Sequence, residues 1–424
     1  MKYKAPRGTR DLLPGEAEKW HFVESRFKEL CNIYGFTEIR TPIFEETALF
    51  VRSMGEETDV VKKEMYIFKD QGGRELALRP EGTAGVVRAF IEHGIHNEAQ
   101  PVKLFYYGPM FRYDRPQAGR QRQFYQMGIE IFGTKDPAVD VEVIKFSQDF
   151  FQGLGFSNLS LQINSTGCSE CREDYLEQLS VFADARVSSL CGDCKERSRL
   201  NPLRLLDCKE IGCREEMKDA PRITDHLCSS CRDHFDKVLF LLDSLEIIYN
   251  VDHQLVRGLD YYTNTAFEFH SSTLGAQNSL GGGGRYDNLV EVCGGASTPG
   301  VGMAVGVERI VMAMEKEALF SEEMPAAGIF IAVGEQNDLP LRREALLLLN
   351  YLRGKGIVCD TDYLGRSLKA QMKFANRKRF RYVVILGGED PSEGTLKVRD
   401  MLKGDQTELL RSEAIELLLK NCGK

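Results

Sequence analysis

Residues 103–132 limit the possible folds more than any other stretch of the chain. Lys103-Leu104-Phe105-Tyr106-Tyr107 leads apolar into Phe111–Glu130, which reads FRYDRPQAGRQRQFYQMGIE. The segment turns through Pro116, Ala118 and Gly119 and then runs apolar-alternating to Phe132. That pattern predicts two strands joined by a long loop. Side chains on the returning strand alternate between faces. Tyr125, Met127, Ile129 and Ile131 share the face that can sit on a core. Phe124, Gln126, Gly128 and Glu130 share the other. An aromatic, an amide, a gap and a carboxylate make a poor core and a usable binding floor. Arg112, Arg115, Arg120 and Arg122 crowd its approach against one carboxylate, Asp114. Such a cluster suits a ligand with several negative charges. The plain alternative is a solvated hairpin tip.

With 424 residues, two or three domains are expected. Apolar content of 42% and charged content of 28% match an ordinary soluble globular protein. The first twenty residues have no apolar stretch of the kind a secretory signal needs, and no apolar run approaches membrane-spanning length. A cytoplasmic protein with no membrane partner is expected. The net charge of −8 disfavours non-specific coating of nucleic acid but leaves room for local basic patches.

Trp20, Val23, Phe27 and Leu30 predict an amphipathic helix over 16–32, followed by a strand at Phe36–Pro42. Residues 64–79 read as a hairpin, and Leu78–Thr83 runs from its second strand into a helix. Glu81 and Thr83 stand at that junction, either capping the helix or pointing into a site at the strand end. A helix is expected over 137–151, a strand over 159–164, and β structure over Tyr249–Phe269, including Arg257-Gly258-Leu259-Asp260-Tyr261-Tyr262. The four glycines Gly281–Gly284 permit close backbone approach to a ligand. Val301–Arg309 reads as a glycine-bearing strand entering a helix that carries Arg309, without the spacing of a dinucleotide fingerprint. After a linker-like break at 317–327, strands and helices alternate from Gly328 to the end. One helix there, with its C-terminal end, carries Lys369, Lys373, Arg377, Lys378, Arg379 and Arg381, a footprint for phosphate backbone or a solvated basic face.

Eight of the twelve cysteines lie between Cys168 and Cys231, as Cys168-x2-Cys171, Cys191-x2-Cys194, Cys208-x4-Cys213 and Cys228-x2-Cys231. Two-residue spacing lets a tight turn aim two thiolates at one tetrahedral zinc. Eight ligands would make two closed structural sites. One zinc with leftover thiols, or a reduced buried cluster, fits the same spacing. Spacing leaves the pairing of the four motifs open.

Together these stretches resemble the histidyl-tRNA synthetase family of class II aminoacyl-tRNA synthetases over nearly the whole chain. Gly35–Pro42 with the helix before it is similar to the first class motif, at the homodimer interface. Phe111–Glu130 is similar to the second and Val301–Arg309 to the third. Leu255–Tyr262 and Gly283–Asp287 are similar to signatures of the histidine-specific branch. The implied fold is an α+β catalytic core with an antiparallel sheet over 1–325, a helical, Cys-rich insertion at about 165–240, and a C-terminal α/β domain over 326–424 like the anticodon-binding domain of this subclass. The family has a variable helical insertion at that place, and eight paired cysteines depart from its pattern.

The resemblance implies ligation of L-histidine to tRNA(His) through histidyl-adenylate, with release of pyrophosphate and AMP. It implies ATP as substrate, Mg2+ at the outer phosphates, a homodimer, and possible structural Zn2+. Arg112 and Arg257 would act at the α-phosphate, and Arg120 and Arg309 on the outer phosphates. Phe124 and Arg309 would sandwich adenine. Glu81, Thr83, Gln126, Arg112 and Arg257 would hold the ammonium and carboxylate of histidine. Glu130, Tyr261, Tyr262 and Tyr286 would surround its imidazole. Three rivals remain: a histidine-binding regulatory paralogue, which would lack the C-terminal domain and the ATP arginines; a zinc-dependent nucleic-acid-binding module; and a class II synthetase for another amino acid.

Overall fold

The computed structural model describes residues 3–115, 119–274, 278–320, 328–335, 338–387 and 394–422. The chain divides into two units, Met1–Phe320 and Ser321–Lys424. The expected boundary at 325/326 lies outside the described residues.

The first unit is built on an eight-stranded sheet. Its strands follow the order Thr37–Glu38, Val102–Phe111, Gln123–Phe132, Gly300–Gly306, Ser279–Arg285, Thr263–Ser271, Leu159–Ser165 and Tyr249–Val251. The six central strands pair antiparallel, and the two short edge strands pair parallel. The expected hairpin of residues 103–132 is therefore two full ten-residue strands near one end of the sheet. Its apolar face, with Met127, Ile129 and Ile131, joins the main core.

Helices Glu16–Ile33 and Pro137–Gly153 close that core with Trp20, Val23, Phe27, Val143, Phe146 and Phe150. Leu30 is only half-buried, and Cys31 fills the interior place on that turn. Asp136 caps the second helix by accepting from the Ala138 N–H at 2.9 Å, with Pro137 at its first position. Of the strand expected at 36–42, only Thr37–Glu38 pairs. The residues that follow lead instead to a three-stranded sheet of Phe44–Glu46, Glu75–Leu78 and Ile67–Lys69.

The β structure expected through Tyr249–Phe269 is broken. Residues 252–262 form an irregular loop between Tyr249–Val251 and Thr263–Ser271. The RGLDYY stretch is thus loop, because its carbonyls bond to side chains from elsewhere rather than to a neighbouring strand. The cysteine-rich segment supplies those side chains. It has its own small core, including Tyr175, Leu179, Leu205, Leu206 and Met217, while its last helix, Ser229–Ser244, sends Phe235, Val238 and Leu242 into the main core.

The second unit has a five-stranded sheet in the order Cys359–Thr361, Ile329–Val333, Tyr382–Leu386, Thr395–Asp400 and Gln406–Leu410. Its first three strands are parallel. The helix Leu368–Arg377 buries Gln371 and Ala375, which turns Lys369, Lys373 and Arg377 outward. Lys378 and Arg379 are exposed as well. Arg381 is not part of that solvent face. It pairs with Asp400 at 2.8 Å.

Candidate active site

The floor of the site is the Gln123–Phe132 strand, held between Val102–Phe111 and Gly300–Gly306. Ladder register sets Gln126 opposite Gly108 and Gly306, Gly128 opposite Tyr106 and Ala304, and Glu130 opposite Leu104 and Gly302. The space left by Gly128 is not open to a ligand, because the Tyr106 ring fills it. A Cβ at position 128 would meet Tyr106 Cζ and Oη at 2.4 Å. The Tyr106 hydroxyl is buried with no hydrogen-bond partner among the described residues. The sequence signal for this tyrosine, a large ring directly across from a glycine, exists only once the register is known.

A small cavity of about 190 Å³ opens above this floor. Glu81, Thr83, Arg112, Gln126 and Glu130 line it from the sheet side, and Arg257, Tyr261, Tyr262 and Tyr286 close it. Every residue expected around histidine therefore reaches one cavity. The Tyr261 ring lies 4.7 Å from that of Tyr262 and 5.7 Å from that of Tyr286. Glu130 accepts from the Thr83 hydroxyl at 2.7 Å and from the Tyr286 hydroxyl. Burial pushes its carboxyl up to about 8, against the two hydroxyls that favour its charge, with Glu81 adding to the rise. Glu81 accepts from the backbone N–H groups of Thr83 and Ala84, both at 2.7 Å. It thus fulfils both expectations, satisfying the helix N-terminus while facing the cavity. Burial raises its carboxyl as well, in opposition to those N–H groups. Gln126 Oε1 and Arg257 Nε are buried without a partner among the described residues. An acceptor and a donor therefore stand open at the cavity wall.

Arg257 reaches the site from the 252–262 loop. It pairs with Glu268, and burial of the Glu268 carboxyl is outweighed by Arg257 and His270, which hold it down at about 2. No local pattern in the sequence marks Glu268, since its partner stands eleven positions earlier across a loop. Gly282 explains part of the glycine run. A Cβ there would meet Arg257 Nη1 at 2.8 Å and the Phe267 carbonyl at 2.3 Å. At this position the missing side chain makes room for the arginine.

A larger cavity of about 660 Å³ adjoins the small one and shares Arg112, Gln126 and Arg257 with it. Arg120, Phe124 and Arg309 also line it. Arg112 donates to the Pro80 carbonyl at 2.8 Å and lies 5.5 Å from the Phe124 ring centre. Arg120 pairs with Asp114 at 3.0 Å, and Arg309 donates to the Ser279 carbonyl at 2.8 Å. Burial lowers the Arg309 guanidinium from its ordinary value, and the nearby charge of Arg120 lowers it further. A bound anion would relieve both effects. Of the other two arginines crowded by the sequence, Arg122 lies over the Tyr113 ring and Arg115 is exposed.

The eight cysteines separate into two sets, Cys168, Cys171, Cys228 and Cys231, and Cys191, Cys194, Cys208 and Cys213. Within each set the four sulfurs lie within 4.8 Å of one another. Tetrahedral zinc with Zn–S bonds of about 2.3 Å needs sulfurs about 3.8 Å apart. The Cys168–Cys171 and Cys191–Cys208 separations are 3.6 and 4.0 Å. Backbone N–H groups of Cys228 and Cys191 donate to the sulfurs of Cys171 and Cys213, both at 3.1 Å. Such N–H donors orient a thiolate ligand. The donor sets fit zinc, and the pairing is nested: the outer set ties the ends of the insertion, and the inner set lies within it.

An antiparallel floor, an arginine-lined cavity of nucleotide size and a small polar pocket joined to it are the arrangement expected of a class II aminoacyl-tRNA synthetase. Residues 8–310 match the family described as "Histidyl-tRNA synthetase", and residues 329–421 match "Anticodon binding domain". A histidine--tRNA ligase of Natranaerobius thermophilus is 52% identical, covering 96% of both chains. One of Pelotomaculum thermopropionicum is 53% identical, covering 95% of this chain and 94% of its own. The solved structure of apo Staphylococcus aureus histidyl-tRNA synthetase superposes with a TM-score of 0.82 at 39% identity, covering 98% of this chain and 99% of that one. The chain belongs to the histidyl-tRNA synthetase family. No helix among the described residues is long and apolar enough to cross a membrane.

Proposed function

We propose that this chain joins L-histidine to tRNA(His) with ATP, through histidyl-adenylate. The observation that carries the reading is the meeting of the two cavities at Arg112, Gln126 and Arg257. The large one falls in the usual range of about 300–1,000 Å³ for small-molecule sites, and the small one below it suits an amino acid. The histidine carboxylate attacks the α-phosphate at this junction, and pyrophosphate leaves. Arg112 and Arg257 are the catalytic residues, neutralising the charge shared by carboxylate and α-phosphate. Arg120 and Arg309 hold the outer phosphates, and adenine stacks between Phe124 and Arg309. Positioning and charge neutralisation are what phosphoryl displacement mainly requires. Gln126 Oε1 and Glu81 face the ammonium, with Thr83 beside them. Glu130, held by Tyr286, reads the imidazole, with Tyr261 and Tyr262 around it. The terminal ribose of the tRNA then takes the histidyl group, releasing AMP.

Mg2+ prefers oxygen ligands and accompanies the outer phosphates. The half-buried carboxylate of Glu64 on the large cavity wall is an oxygen the chain itself offers. The two cysteine sets are read as structural Zn2+ sites, closed to catalysis because all four positions are filled by protein. The catalytic region extends over 1–325 with the insertion at about 165–240, and 326–424 binds the anticodon end of the tRNA through its exposed basic helix. A homodimer is supported by an apolar surface next to Gly35–Pro42, where Ile43, Phe44, Ile67 and Phe68 are exposed. Cytoplasmic location follows from this role. ATP–pyrophosphate exchange over all twenty amino acids tests the reading. Exchange with histidine alone is expected, and activity only with another amino acid would overturn it.

A further inference from the structure

The loop that carries Arg257 depends for its shape on residues far away in the chain. Backbone carbonyls need donors, and those of residues 252–262, from the buried Leu255 to the exposed Gly258, have no neighbouring strand to provide them. Side chains provide them instead. Asn164 donates to the Leu255 carbonyl at 3.1 Å. Arg204 donates to the Arg257 carbonyl at 3.1 Å and the Gly258 carbonyl at 2.6 Å, and pairs with Asp260 at 3.1 Å. Asn201 donates to the Asp260 carboxylate at 3.2 Å. Arg172, next to Cys171, donates to the Tyr262 carbonyl.

Arg204 and Asn201 lie between Cys194 and Cys208, inside the inner cysteine set. Besides an ion pair of Arg197 with Asp59 at 2.8 Å, the two helices there bury few side chains. Helix Gly192–Leu200 buries only Cys194 and Ser198, and helix Ile211–Glu216 buries only Cys213. Helices this short are marginal without tertiary anchorage. The thiols are the anchor points of both helices, with Leu205 and Leu206 between them. A metal joining the four sulfurs would hold this lobe, and with it the guanidinium that shapes the Arg257 loop.

We propose that the inner set, Cys191, Cys194, Cys208 and Cys213, is a zinc centre that holds Arg204 against the Arg257–Asp260 loop and so makes adenylate formation depend on the metal. Arg204 is a positioning residue: it acts through Arg257. The proposal rests on the zinc reading and on the part assigned to Arg257 above. A misplacement of about 1 Å at a reacting centre can cost about a hundredfold in rate.

The experiment combines metal analysis of the purified full chain with histidine-dependent ATP–pyrophosphate exchange. The parent chain is expected to hold two zinc ions and no iron. Cys208→Ser is expected to keep the outer zinc alone and to lose exchange. Arg204→Ala is expected to keep both zinc ions and a Tm within a few degrees of the parent's, while kcat for exchange falls about tenfold to a hundredfold and KM for ATP moves less. Arg204→Lys, which retains a cationic donor, is expected to recover part of that loss. If Arg204→Ala holds two zinc ions and exchanges at the parent rate, the coupling is overturned and the zinc reading stands. If the active parent holds no zinc, or iron in its place, the zinc reading itself fails. The Arg204 variants decide the coupling even if Cys208→Ser does not fold.

Discussion

The small cavity has two walls held by different means. Its floor, Gln123–Phe132, is fixed by ladder bonds to a strand on each side, so every side chain inherits its place from a register. The facing loop, 252–262, has no ladder. Its carbonyls are met one by one by Asn164, Arg204 and Arg172. The floor is therefore set by the core sheet alone, whereas the loop is set jointly by the sheet and the cysteine-rich insertion. Groups that need only a constant surface, Gln126 and Glu130, stand on the floor. Of the two arginines proposed for the reacting phosphate, Arg257 stands on the loop, within reach of the insertion.

Breaking each wall in turn tests this division. The largest effect is expected for Arg257→Ala, with kcat for exchange falling about 10²–10³-fold while the fold is retained. Near-parent exchange in that variant would remove Arg257 from its role. The Arg204→Ala loss described above should be smaller, because the guanidinium of Arg257 is still present. On the floor, Glu130→Ala leaves the imidazole a polar group without its partner, an error of about 1–3 kcal/mol. KM for histidine is expected to rise about ten- to a hundredfold, with KM for ATP nearly constant. An equal rise in both would count against imidazole recognition.

The floor also predicts a pH dependence of stability. The Glu130 carboxyl stands at about 8 in the folded chain against an ordinary 4.5, because burial penalises its charge. A raised folded value contributes stability that is fully present below 4.5 and is lost as pH rises through about 8. Glu130→Gln cannot ionise, so the ligand-free variant should gain on the parent in Tm as pH rises from about 5 to 8, by a few degrees, and hold that gain above. A Tm difference that is the same at both ends of this range would refute the raised carboxyl. The smallest effect is expected in the second unit. Lys369→Ala with Lys373→Ala should raise KM for tRNA severalfold and shallow the salt dependence by about one unit per lysine, leaving exchange untouched. A change in exchange would mean that the helix serves the first unit as well.

The floor was readable in the residues because its information is local. Alternation alone separates Phe124, Gln126, Gly128 and Glu130 from the core face. The arginines near it were readable as a cluster, although Arg115 and Arg122 turned out to stand apart. The Arg257 loop carries strand preference in its aromatic and β-branched residues, and the bonds that override it come from 53 positions away in the case of Arg204. The same holds for Glu268, and for Tyr106, whose ring occupies the gap that Gly128 leaves.

The cysteines divide along the same line. Spacing of two residues determines half of a tetrahedral site, since a single turn brings two thiols together. It cannot determine which half meets which, because that depends on how helices from Ser169 to Ser244 return on one another. The amphipathic helices, the paired strands of the hairpin and the basic face of the second unit follow from periodicity within a dozen residues. The nested pairing of the thiols, the neutralisation of Arg257 by Glu268 and the closure of the Gly128 gap follow from packing between segments distant in the chain. No local pattern encodes those contacts; they arise when the sheet register and the fold of the insertion bring the groups within hydrogen-bonding or van der Waals reach.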